Sequence, residues 1–145
     1  AYTAGGRLIV ARGSDLGMPG IPAGEGSPIH ALVSAGRAEL LAADHADGSI
    51  ALWSTDGDAL RQVSVQSWPA GPRAISLSLD GEYLALAYPN DATDEAPFVL
   101  VARTADGALV RRIDGARAIA LGPDGISCAV GGDWGVAWLT QIEED

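Results

Sequence analysis

The sequence predicts an all-β fold, a β-propeller built of four-stranded antiparallel blades whose ring is incomplete within one chain. Three observations carry that expectation. The segment AISLSLDGEYLALA from Ala74 recurs from Ala118 as AIALGPDGISCAVG and, more loosely, from Ala31 as ALVSAGRAELLAAD, at spacings of 44 and 43 residues. Within the first two of these strings an Asp-Gly pair separates two alternating apolar runs, as a tight turn separates the strands of a hairpin. A period near 43 residues is that of a propeller blade, a sheet that cannot bury both faces alone and stacks on its neighbours. Finally, 145 residues hold three such periods and a fragment, fewer than a closed ring needs.

The chain is therefore expected to be a piece of a longer propeller polypeptide, or to meet another chain, most economically a second copy, and so finish a ring of about six or seven blades. Its opening, AYTAGGRLIV, has no start Met, basic leader or apolar leader core, so no signal peptide is expected.

Taken in order, residues 1–13 match the later hairpin ARTADGALVR in type, which makes them an orphan outer strand, the end of a third strand and a fourth, completing another blade. Residues 14–28 form a Gly/Pro-rich loop, a functional-loop candidate that reads alternatively as a surface excursion packed on the rim through Met18 and Ile21. The blade at 29–66 has runs a near Ile29 to Ser34, b near Glu39 to Asp44, c near Ser49 to Ser54 and d near Leu60 to Val65. Its turns are Ala35-Gly36, Asp47-Gly48 and Asp56-Gly57-Asp58. The blade at 73–113 repeats the scheme with Arg73 to Leu77, Tyr83 to Tyr88, Phe98 to Ala102 and Leu109 to Ile113. Its b to c loop, PNDATDEAP, is acidic and flanked by prolines, and is expected to protrude and move. The blade at 117–142 turns at Pro123-Asp124-Gly125, runs b through Ile126 to Val130 and c through Gly135 to Gln141, and lacks its last strand.

Composition narrows function more than it defines it. With 48% apolar residues, and with 19 Gly and 8 Pro spread as turn punctuation, the chain reads as folded and globular. No apolar stretch approaches the roughly 20 residues that span a bilayer. The net charge of −10, from 19 acids against 9 arginines and no lysine, argues against nucleic acid and against anionic membranes as partners. Absence of lysine beside abundant Ala, Gly, Asp and Arg resembles the coding bias of GC-rich bacteria. The single cysteine, Cys128, lies in the alternating run ISCAV, reads as core, and is compatible with a cytoplasmic location.

At SLDGEYLALA, GPDGISCAV and DGSIALWS the chain resembles the WD-repeat family of β-propellers over residues 29 to 142. Asp47 with Trp53 fits that family's b to c turn aspartate and strand c tryptophan; Asp133 with Trp138 fits less well. Trp53 is followed by Ser54 rather than Asp, the second blade has Val101 or Ala102 where a Trp would sit, and no Gly-His precedes strand a, so the family's buried Asp-His-Ser-Trp network is not expected. The resemblance implies a scaffold that binds proteins or peptides on the face around the central channel.

Aligning the strand a segments places His30, Arg73 and Arg117 at one equivalent position, each followed by Ala. In a propeller, strand a lines the channel, so these groups would form a cationic mouth in an acidic molecule, suited to carboxylates or phosphates. The alternative is that each Arg pairs with an Asp of an adjacent blade, such as Asp80, Asp114 or Asp124. Enzyme signatures are thin. Without lysine there is no phosphate-binding lysine or Schiff base, no GxGxxG follows a strand, and His30 and His45 share no metal-ligand spacing. The acidic loop Asn90, Asp91, Asp94, Glu95 lacks the Gly and closing Glu of an EF-hand. Trp68, Trp134, Tyr83 and Tyr88 read as wedges between blades.

The expectation is thus a noncatalytic scaffold module of a bacterial regulatory or signalling protein, without cofactor or metal. It binds a protein or peptide partner, acidic ones included, through His30, Arg73 and Arg117. The alternative is part of a propeller enzyme or small-ligand sensor whose site is completed by other blades.

Overall fold

The computed structural model describes residues 2–4, 7–10, 21–22, 28–35, 39–54, 61–91, 93–122, 127–139 and 142. The expected turns at Asp56-Gly57-Asp58 and Pro123-Asp124-Gly125, Gly36, Met18 and Gln141 lie outside them, as does most of the loop at 14–28. Every described element is a strand. In chain order they are β1 (Tyr2–Ala4), β2 (Arg7–Val10), β3 (Ile21–Pro22), β4 (Ile29–Ala35), β5 (Leu40–His45), β6 (Ser49–Ser54), β7 (Arg61–Ser67), β8 (Ala74–Leu77), β9 (Tyr83–Tyr88), β10 (Phe98–Arg103), β11 (Leu109–Asp114), β12 (Ala116–Leu121), β13 (Cys128–Gly132) and β14 (Gly135–Leu139). They pair antiparallel as β1-β2-β3, β4-β5-β6-β7, β8-β9-β10-β11 and β12-β13-β14.

Two compact units divide the chain, one of residues 1–33 and 39–70, the other of 34–38 and 71–145. In the first unit, β5 and β6 bury residues on both faces, Asp44 among them. Leu41 lies opposite Trp53 and Ala43 opposite Ala51, and these four form one core cluster with Ile29 and Leu32 against it. At the Asp47-Gly48 hairpin, Gly48 has φ +94°, and a Cβ there would stand 2.7 Å from the Trp68 carbonyl oxygen. Asp47 Oδ1 accepts from the Ser49 amide at 2.9 Å and the Ser49 hydroxyl at 2.6 Å, which fixes the start of β6. The N-terminal sheet departs from expectation in one respect. The Gly/Pro-rich segment supplies β3, whose Ile21 and Pro22 pair with Val10 and Ile9, so β2 has a neighbour on each side within this chain.

The second unit is two sheets packed face to face. All six residues of β9 are buried, as are four of six in β10, so these inner strands have no polar face to show. One side of that sheet contributes Tyr83, Ala87, Val99 and Val101 to a core shared with Ala116, Cys128 and Val130 of the third blade and with Ile142. β12 lies against β8, β9 and β10. The connection is a single residue: β11 ends at Asp114, Gly115 turns at φ +80° with its amide donating to the Pro97 carbonyl at 2.8 Å, and β12 begins at Ala116.

Within β8–β11 the a to b turn is clasped from inside. Ser78, fully buried, accepts the Tyr83 amide at 2.9 Å on its Oγ and donates to Asp80 Oδ1 at 2.6 Å. Asp80 also accepts the Glu82 amide at 3.0 Å, and Thr104 reaches across from the c to d loop to donate to the Gly81 carbonyl at 2.5 Å. No helix among the described residues is long and apolar enough to cross a membrane.

Candidate functional site

His30, the second residue of β4, is exposed in the first unit. Arg73 and Arg117 belong to the second unit, where the structure brings both to one short stretch, Tyr88 to Asp91 at the exit of β9. Arg73 directly precedes β8, and its Nη1 donates to the Tyr88 hydroxyl at 2.9 Å while its guanidinium carbon lies 5.8 Å from the Tyr88 ring centroid. Tyr88 faces Phe98 across the β9–β10 ladder, and the rings stack at 4.6 Å with planes 20° apart. Arg112 completes the series, its guanidinium carbon 4.1 Å from the Phe98 centroid and its Nε donating to Asp114 at 2.8 Å. An aromatic pair is thus flanked by two cations.

Arg117 sits in β12 at a register shift, between Ala116 opposite Gly132 and Ala118 opposite Gly131. Such a bulge re-aims a side chain. Its Nε and Nη2 donate to the two carboxylate oxygens of Asp133, at 3.0 and 3.3 Å, and its Nη1 donates to Asp91 Oδ1 at 2.5 Å and to the Pro89 carbonyl at 3.0 Å. Hydrogen bonding to Arg117 holds the Asp133 carboxyl below the usual carboxylate range, and Asp133 raises the Arg117 guanidinium above its ordinary value. Arg117 thus pairs with an Asp of the adjacent blade, as the alternative above has it, but the partner is Asp91: Asp80 serves the Ser78 turn, Asp114 serves Arg112, and Asp124 lies outside the described residues. Charge pattern alone could not show this, because Asp91 and Asp133 lie 26 and 16 residues from Arg117.

The acidic loop is exposed, as its composition predicts, but it is also framed. Asn90, at φ +54°, donates from Nδ2 to the Ala96 carbonyl at 2.9 Å and accepts the Thr93 amide at 3.1 Å, while Thr93 Oγ1 accepts the Glu95 amide at 3.2 Å. Among the described residues no three His, Cys, Asp or Glu side chains gather as metal ligands do. Cys128 is buried in the core, and desolvation pushes its thiol pKa up.

Two tryptophans depart from expectation. Trp134, on the turn between β13 and β14 rather than on a strand, is 53% exposed and lies across Gly132 instead of wedging between sheets. Trp138 faces Ala129, whereas Trp53 faces Leu41; since Leu41 and Cys128 are repeat equivalents and Cys128 faces Leu139, it is Leu139 that stands where Trp53 does. Trp53 itself is buried, and among the described residues no acceptor reaches its Nε1, so this indole takes no part in the network that the WD-repeat resemblance would supply.

No family model and no curated protein matches the chain. Solved structures do match. Kluyveromyces lactis Hsv2p is similar over 99% of this chain and 49% of its own, with a TM-score of 0.60 and 21% identity. Saccharomyces cerevisiae Sqt1 is similar over 76% of this chain and 31% of its own, with a TM-score of 0.51 and 18% identity. Both are WD40 β-propeller proteins, and the fold of this chain is that of β-propeller blades, four-stranded and antiparallel, in a ring incomplete within one chain. The chain spans about half the length of Hsv2p and under a third of Sqt1.

Proposed function

We propose that this chain is a noncatalytic protein-interaction module of a bacterial regulatory or signalling protein, working in the cytoplasm, and that it captures an acidic segment of a partner at the strand a entries marked by His30, Arg73 and Arg117. One observation supports this reading above the others: Arg117 already holds a carboxylate from an exposed loop. Asp91 is 76% exposed and meets Arg117 at 2.5 Å, while Asp133 grips the other side of the guanidinium. A partner's Asp or Glu would take the Asp91 position, exchanging one exposed ion pair for another at small net cost. Arg73, braced on the Tyr88 ring, supplies a second cation beside the same stretch of chain, while His30 marks the equivalent strand a position of the first unit. Further blades or a second chain complete the ring around this mouth.

The reading is tested by fluorescence anisotropy with labelled Asp/Glu-rich peptides. Binding should weaken at least about tenfold in Arg73→Ala/Arg117→Ala, as expected when a charge-assisted anchor is lost. It should tighten in Asp91→Asn, which removes the internal competitor. Unchanged affinity in the double-arginine variant overturns the assignment.

A further inference from the structure

Two of the sheets end in an outer strand at an open edge, β7 in the first unit and β11 in the second. Each pairs with its inner neighbour through the same irregularity, an extra residue that is Val63 in β7 and Val110 in β11. The two registers therefore align the strands: Ser64 corresponds to Arg111, Val65 to Arg112 and Ser67 to Asp114. What differs is the side chains. β11 carries two arginines and an aspartate in its last four residues, charges of the kind that resist edge-to-edge pairing. β7 reads QVSVQS from Gln62 to Ser67 and carries none there. Val63 is 47% and Val65 53% exposed, with Ser64 half-buried between them. An uncharged edge strand of this kind presents a row of N–H and C=O groups with which another strand can pair.

The order of its residues names that strand. Residues 62–66, QVSVQ, read the same in either direction about Ser64. Two copies of β7 laid antiparallel about a two-fold axis at Ser64 therefore meet like with like. Ser64 faces the partner's Ser64, Val63 faces the partner's Val65, and Gln62 faces the partner's Gln66. Two pairs of β-branched side chains then flank the axis, and each glutamine amide, a donor and an acceptor, meets another. The stretch is neutral in a chain of net charge −10, so two copies come together there without apposing carboxylates.

We infer that β7 is a self-association edge, at which two copies of this chain pair antiparallel about Ser64. The contact joins outer strands. It neither fills a place in the ring nor uses the arginine site, and it is independent of what completes the ring. One pair of short strands buries less than the roughly 1,200 Å² of a stable complex, so the dimer is reversible and forms at high micromolar concentration.

Sedimentation velocity of this chain, from low to high micromolar concentration, tests it. The wild type should pass from monomer to dimer across that range, more readily at higher salt as the mutual repulsion is screened. Val65→Lys, at an exposed position, should weaken dimerisation at least about tenfold while keeping the wild-type circular dichroism. Arg73→Ala/Arg117→Ala should dimerise as the wild type does, which separates this edge from the peptide site. Register is read by mild oxidation of Val63→Cys and Val65→Cys, with the wild type, whose Cys128 is buried, as the blank. An equal mixture of the two should form a disulfide-linked dimer at least about fivefold faster than either alone, because Val63 lies directly opposite the partner's Val65 and only diagonal to the partner's Val63. A wild type that stays monomeric through that range overturns the inference. So does a dimer that Val65→Lys leaves intact, or a mixture that cross-links no faster than its components.

Discussion

Arg117 holds Asp133 with two donors at once, Nε at 3.0 Å and Nη2 at 3.3 Å, so that the first strand of the third blade is tied to the turn between its second and third. The same guanidinium reaches Asp91 in the β9–β10 loop of the blade before it. One residue thereby joins two sheets at the end where Arg73 also lies on Tyr88.

That pairing gives acid sensitivity a defined sign. A carboxyl with a folded-state pKa below its unfolded value stabilises the fold above the unfolded value, and this contribution is lost as pH falls through the folded value. Asp133 is such a group. In Arg117→Gln its carboxyl carbon, followed by NMR, should titrate near the ordinary aspartate value of about 3.9, and lower in the wild type. The urea midpoints of the two proteins, separated at neutral pH, should draw closer as pH falls through the wild-type Asp133 value.

Gly132 and Gly131 should respond oppositely to alanine. A Cβ on Gly132 would stand 2.5 Å from the Gly115 carbonyl oxygen and 2.8 Å from Trp134 Nε1, and the backbone atom cannot swing aside. Gly132→Ala should cost about 1–3 kcal/mol in urea unfolding. Gly131 has open space where its Cβ would go, so Gly131→Ala should be neutral or stabilising by up to about 1 kcal/mol.

Ser78 is small but buried among donors and acceptors that need it. Ser78→Ala leaves the Tyr83 amide without its side-chain acceptor and removes the hydroxyl that donates to Asp80. A loss of about 1–3 kcal/mol is expected, read by chemical denaturation, whereas Thr should retain most of the stability.

Cys128 should be a reporter of unfolding. Its side chain is buried and its thiol is shifted upward by desolvation, against a smaller opposing effect of the Arg111 charge. Iodoacetamide should label it only as fast as the second unit opens, with rates that rise with urea. Rapid labelling of the native protein would contradict the packing described.

The all-β propeller fold was legible because its signals are local. Alternation runs over half a dozen residues and an Asp-Gly turn over two, so runs such as Tyr83–Tyr88 and Ser49–Ser54 appear as strands with the limits read from sequence. Cys128 was legible as core for the same reason. Face was harder than strand. Trp138 was matched to the strand c tryptophan by its distance from an aspartate, but a one-residue change of register moves a side chain to the opposite face, and only the pairing with Ala129 shows which face it took. The candidate site was legible as three cations at one repeat position and no further, because their partners come from other strands and loops.

By itself, then, the sequence determined that this chain makes repeated antiparallel sheets and where most of their strands run, since both follow from short-range periodicity. Tertiary structure alone decided that β3 flanks β2, that Arg117 spends its charge on Asp91 and Asp133, and that Val136 and Trp138 stand bare on the last sheet. The physical reason is that hydrogen-bond register and sheet packing join residues distant in sequence, and no local pattern records which distant neighbour a strand will meet.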